Sequence, residues 1–83
     1  MHLHLRINVD CVQDAYAGDE ALLLRDFIIC GPGVQAMQIE KHVRGGHAVT
    51  LECKGKNCDE LISYVSNLSA IGCRLIECTK SPT

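Results

Sequence analysis

The chain is expected to be an α+β, ferredoxin-like βαββαβ sandwich: a four-stranded antiparallel sheet, order 4-1-3-2, with two helices on one face. Three observations predict it. Apolar and polar residues alternate in several separate stretches, apolar residues recur at three- and four-residue spacing in two others, and these follow one another as strand, helix, strand, strand, helix, strand. Two strand–helix–strand units in which the crossover skips a strand interleave into such a sheet.

"HLHLRINVDC" alternates cleanly. Leu3, Leu5, Ile7 and Val9 face one way, and His2, His4, Arg6, Asn8 and Asp10 the other, which is a strand with one buried face. In "VQDAYAGDEALLLRDFIICGPG" the period changes, and Leu22, Leu23, Leu24, Phe27, Ile28 and Cys30 cluster as on a helix packed against a core. Asp19 and Glu20 suit its first turn, where negative charge complements the helix dipole, and Gly31-Pro32-Gly33 ends it. A strand across "LLLRDFIIC" is the rival reading.

"VQAMQIEKHV" alternates through Met37, Ile39, Lys41 and Val43, and "HAVTLEC" through Val49, Leu51 and Cys53. Gly45-Gly46 between them predicts a hairpin with both glycines at the centre of a type I′ turn, although a helix over 34–43 stays open. "NCDELISYVSNLSAIG" is a second amphipathic helix with Leu61, Ile62, Val65, Leu68 and Ile71 as its stripe. Asn57 or Asp59 caps its start and Gly72 closes it. "CRLIECTK" is the last strand, so residues 1–80 form a single domain and 81–83 a frayed polar tail.

Composition narrows the function. With 83 residues there is material for one small core, and a net charge of −2 leaves no basic surplus for nucleic acid. No apolar run is long enough to span a bilayer, and the N-terminus lacks the pattern of a signal peptide. The expected location is therefore the cytoplasm, or the cytoplasmic side of the inner membrane if this is part of a larger protein. Of the six cysteines, all but Cys58 lie in or beside apolar runs, so reduced structural thiols are expected.

The uncovered face should carry His4, Arg6, Asn8, Gln38, Glu40, His42, Thr50, Glu52 and Arg74. RNA-recognition domains of this layout stack bases on aromatics where this chain has Arg6, Asn8, Thr50 and Glu52. A soft-metal chaperone needs two cysteines in the first loop, which holds only Cys11, and a phosphate-cradling loop there would need an arginine. Edge strands offer a route to pairing, placing Gln38, Glu40 and His42 at a candidate interface of a homodimer.

A different reading gathers His2, His4, Cys53 and Cys58, with Cys78 nearby, at one edge as a zinc-type metal set, without two-residue ligand spacing. Cys58, near Lys54, Lys56 and a helix start, is the one candidate nucleophile, with the plainer role of a helix N-terminal residue. Asp10, Asp14, Asp19 and Glu20 could face a hard cation, but solvated loop charges are the default. No catalytic residue and no cofactor is assigned.

The arrangement "DAYAGDEALLLRDF…IEKHVRGGHAVTLECKG…LISYVSNLSAIGCRLIE" resembles the ACT and ACT-like domains, and is most similar to the C-terminal cytoplasmic domain of the MgtC/SapB family. The similarity is one of pattern over nearly the whole chain, and "DAYAG" lacks the proline of the Asp-x-Pro-Gly loop of ACT proper. In ACT domains, ligands bind near this loop at a subunit interface, which makes Asp14, Gly18 and Asp19 the candidate ligand-binding residues. The MgtC/SapB resemblance implies a soluble domain following a membrane-embedded portion, in a family linked to growth in low magnesium and to virulence. It implies a regulatory or interaction domain, with a protein partner or small-molecule effector and no chemistry of its own.

Overall fold

The computed structural model describes residues 1–12, 14–54 and 57–81. Its elements are β1 (His2–Val9), α1 (Glu20–Ile28), β2 (Val34–Lys41), β3 (His47–Cys53), α2 (Cys58–Asn67) and β4 (Cys73–Ser81). Short 3-10 turns occupy Asp14–Tyr16 and Leu68–Ile71. All strand pairs are antiparallel, in the order β2-β3-β1-β4, which is 4-1-3-2 read from the other edge.

Parity along the strands builds the core. Leu3, Leu5 and Ile7 of β1 and Val49, Leu51 and Cys53 of β3 point to one side, where Leu23, Leu24 and Ile28 of α1 and Leu61 and Val65 of α2 close over them. α1 lies toward β2 and α2 toward β4. Asp19 caps α1 by accepting the Leu22 N–H at 3.1 Å. Asn57 occupies the cap position of α2 but makes no side-chain capping bond. The helix pair is tied by Tyr64 Oη, which donates to the carbonyl of Phe27, and burial pushes the Tyr64 phenol pKa up.

Both open alternatives resolve: 20–28 is helix and 34–41 strand. The hairpin differs from the expected one. Lys41 pairs with His47, His42 accepts the Gly45 N–H at 3.1 Å, and the His42 N–H donates to Gly46 at 3.0 Å. The tip is therefore Val43-Arg44, Val43 is 98% exposed instead of continuing the strand, and His42 lies just past the end of β2. The glycines follow the tip with φ of +100° and +73°. A Cβ at Gly46 would stand 2.8 Å from the Ile7 carbonyl oxygen, so close approach to β1 and positive φ both demand glycine there.

The expected tail also begins later, because Ser81 still belongs to β4, while Pro82 and Thr83 lie outside the described residues. β4 carries an irregularity: Arg6 pairs with Glu77 and Ile7 with Leu75, which leaves Ile76 as an extra residue, 41% exposed.

The cysteines depart most from expectation. Cys53 and Cys58 form a disulfide, with Cα atoms 6.0 Å apart, linking the end of β3 to the first residue of α2. Each sits on the buried side of its element, so the short connection brings the sulfurs together inside the core. Cys11 and Cys30 are exposed thiols, against the expectation of packed ones, whereas Cys73 is buried and Cys78 half-buried. Burial raises the pKa of both Cys73 and Cys78.

Candidate functional site

The side of the sheet away from the helices is formed by the other parity of each strand. In register, His2 faces Glu52, His4 faces Thr50 and Arg6 faces Ala48 across β1 and β3, while Gln38 and Glu40 of β2 face Thr50 and Ala48. Small side chains on β3 thus run between taller ones on both neighbours. Two hollows result, of about 210 and 200 Å³, and they meet at Thr50. His4, Arg6, His42, Glu77 and Thr79 wall the first; His2, Gln38 and Glu52 wall the second. Together they make a shallow groove along β3, with polar side chains on its walls and a largely apolar floor.

Arg6 fixes one wall. Its Nε donates to the Gly45 carbonyl at 2.9 Å and its Nη2 to the Arg44 carbonyl at 2.6 Å. Its Nη1 lies 3.7 Å from Glu77 Oε1, which Arg44 also approaches at 3.9 Å. The guanidinium fork therefore holds the β2–β3 hairpin to β1 and the β4 edge. His42 is oriented by the same hairpin: its Nδ1 accepts the Arg44 N–H at 3.0 Å, so the neutral ring carries its proton on Nε2 and offers a donor.

At the far end, Arg74 is spent on Asp10, with Nε to Oδ2 at 3.1 Å and Nη2 to Oδ1 at 3.3 Å, and Asn8 donates to the same carboxylate at 2.6 Å. The Arg74 hydrogen bond, seconded by its charge and by Asn8, holds the Asp10 carboxyl below its ordinary pKa despite partial desolvation. On β2, Gln38 Nε2 donates to Glu40 Oε1 at 2.8 Å.

The loop candidates sit together in sequence but serve separate ends. Asp14 opens a 3-10 turn, and its carbonyl accepts the Ala17 N–H at 3.1 Å. Gly18 has φ +83° with open space around it, and the Asp19 carboxylate is committed to capping α1. The hard-cation set is likewise dispersed, with Asp10 on Arg74, Asp19 on the α1 cap and Glu20 toward His47.

The His/Cys set is divided by the sheet. His2 and His4 stack on the open side with centroids 6.5 Å apart, whereas Cys53 and Cys58 are bonded to each other beneath the helices. Among the described residues, no group of three His, Cys, Asp or Glu side chains is placed to hold a metal. The reason is parity: Cys53 and His4 belong to opposite faces of the same sheet. The candidate nucleophile Cys58 is 1% exposed and has no free thiol.

His47 escaped the sequence reading. It is the buried-side residue that starts β3, 6% exposed, with Nε2 3.3 Å from Glu20 Oε1 and Nδ1 without a hydrogen-bond partner among the described residues. The signal was its parity with Val49, Leu51 and Cys53. No helix among the described residues is long and apolar enough to cross a membrane.

Comparison with protein-family models, with curated proteins and with solved structures returns no match.

Proposed function

We propose that this chain is a ferredoxin-like, ACT-like regulatory or interaction domain that acts by docking, without chemistry of its own. The observation that carries the reading is the sheet surface away from the helices, where a groove with polar walls, floored by Ala48 and Thr50, runs beside an edge strand that no other strand covers among the described residues. Its donors and acceptors are held by Arg6 and the hairpin before any partner arrives, and such preorganisation lowers the entropic cost of binding. Supporting it, the Asp10 and Asp19 carboxylates and the sulfurs of the β3–α2 connection are engaged in structural bonds.

The resemblance to the MgtC/SapB C-terminal domain extends the proposal. On that reading the domain is the cytoplasmic appendage of a membrane protein tied to low-magnesium growth and virulence, with an effector at Asp14, Gly18 and Asp19. The test is an NMR titration of the ¹⁵N-labelled protein with magnesium and a panel of amino acids. Shifts confined to 14–19, to the groove or to β2, with every added compound recovered unchanged, are the expected result. Conversion of a panel member to product would overturn the non-catalytic reading. Saturable shifts confined to the helix face would overturn the assignment of the open sheet side.

A further inference from the structure

The two sheet edges are not equivalent. β4 is interrupted at Ile76, where the ladder slips, and an irregular edge is poorly suited to accept another strand. β2 slips only between Val34 and Ala36, and from Ala36 to Lys41 it runs in unbroken register with β3. Its outer side meets no other strand among the described residues.

The hairpin settles which backbone groups that outer side presents. Because the His42 N–H bonds to Gly46, the antiparallel alternation turns the N–H and C=O of Glu40, Gln38 and Ala36 inward to β3. Those of Met37, Ile39 and Lys41 point outward. Met37 and Ile39 also send half-buried apolar side chains to the helix side.

We propose that β2 pairs antiparallel with β2 of a second copy, about a two-fold axis through Gln38. This deepens the docking reading, on which it rests, by naming the partner as this chain itself. An antiparallel two-fold at a sheet edge must stand normal to the sheet, so residues facing each other share a side and the axis passes through a residue. At Gln38, Met37 meets Ile39 of the second copy twice on the helix side, each pair exchanging its outward N–H and C=O groups. On the open side Ala36 meets Glu40 and the two Gln38 amides meet at the axis; no like charges are opposed. An axis through Ile39 sets Met37 against Lys41, and one through Met37 draws the displaced Gln35 into the ladder. The Gln38 register alone gives both Met37 and Ile39 an apolar partner within the regular stretch. The two grooves then lie on one continuous surface.

Cross-linking reads the register. In a Cys11→Ser, Cys30→Ser background, Gln38→Cys places its two copies at a non-hydrogen-bonded pair, with Cα atoms about 4.5 Å apart and close enough for a disulfide. Glu40→Cys stands about 14 Å from its counterpart, beyond disulfide reach. Mild oxidation should convert most of Gln38→Cys to covalent dimer, and at least tenfold less of Glu40→Cys. Met37→Pro removes an outward N–H without touching the β2–β3 ladder and should leave a folded monomer by light scattering. Equal cross-linking at both positions, or a parent protein monomeric at millimolar concentration, would overturn self-pairing. The docking reading is tested separately by the titration, so the two can fail independently.

Discussion

Replacing Arg6 with Met tests how the groove is built. The substitution keeps an apolar stem over the sheet and removes the fork that holds the Arg44 and Gly45 carbonyls at 2.6 and 2.9 Å. Hydrogen bonds from a charged donor contribute about 1.5–3 kcal/mol each, but the freed carbonyls lie in an exposed hairpin where water replaces part of the loss. The Glu77 pair adds little, since the Glu77 side chain is 48% exposed. The net cost should be about 2 kcal/mol, or a drop in Tm of roughly 8–16 °C for a domain of this size. Arg6→Lys should recover the charge but not the two-carbonyl geometry, and fall between the two. Urea unfolding gives the free energies, and amide shifts of residues 42–46 report the loosened hairpin. Arg6→Met within about 0.5 kcal/mol of the parent, with those amides unmoved, would refute the reasoning.

Three further outcomes follow from the same structure. Gly46→Ala places a Cβ 2.8 Å from the Ile7 oxygen at φ +73°, and urea unfolding should show a loss of about 1–3 kcal/mol, where Gly18→Ala, with no nearby atom, should lose less. Reducing Cys53–Cys58 opens a short loop of sequence separation 5, and loop-closure entropy sets the expected loss at about 2 kcal/mol. A phosphine reductant should therefore lower Tm by roughly 10 °C once mass spectrometry confirms two new thiols; an unchanged Tm would contradict this.

The third concerns pH. Hydrogen bonds and charge from Arg74 and Lys80 depress the Asp10 and Asp59 carboxyls, so their contribution is complete above their ordinary value of 3.8 and is lost as pH falls through the lower folded values. Burial raises the Cys73 thiol, so its contribution is complete below its ordinary value of 9.0 and is lost as pH climbs toward the higher folded one. Urea midpoints from pH 2 to 11 should fall at both ends, and Asp59→Asn should shallow the acid limb and, because Asp59 also holds the Lys80 ammonium above its ordinary value, remove the part of the alkaline limb due to Lys80.

Much of the fold was legible because period and parity are local properties. Leu3, Leu5 and Ile7 announce β1, and the change to helical spacing at Leu22 to Ile28 announces α1. The hairpin was located but its tip was misplaced by two residues, since positive φ after a turn and inside one both ask for glycine. The disulfide was readable in principle. Cys53 continues the buried parity of Val49 and Leu51, and Cys58 begins the stripe of Leu61 and Val65, so both sulfurs had to point inward across one short connection. Reading five of the six cysteines as small hydrophobes in apolar runs, and hence as reduced thiols, overlooked that geometry.

The groove was the hidden part. Its floor is Ala48 and Thr50, and pattern reading attends to large side chains rather than to small ones between them. Arg6 was assigned to the open face correctly, but its carbonyl partners lie 38 and 39 residues away, where no local pattern reaches.

The most direct test of docking through the open edge is amide hydrogen exchange of β2, measured in dilute and in concentrated protein. Inward amides of Gln38 and Glu40 should be protected at both concentrations, and outward amides of Met37 and Ile39 only in the concentrated sample. Exchange of Met37 and Ile39 that is fast at every concentration would contradict docking of a second copy at this edge.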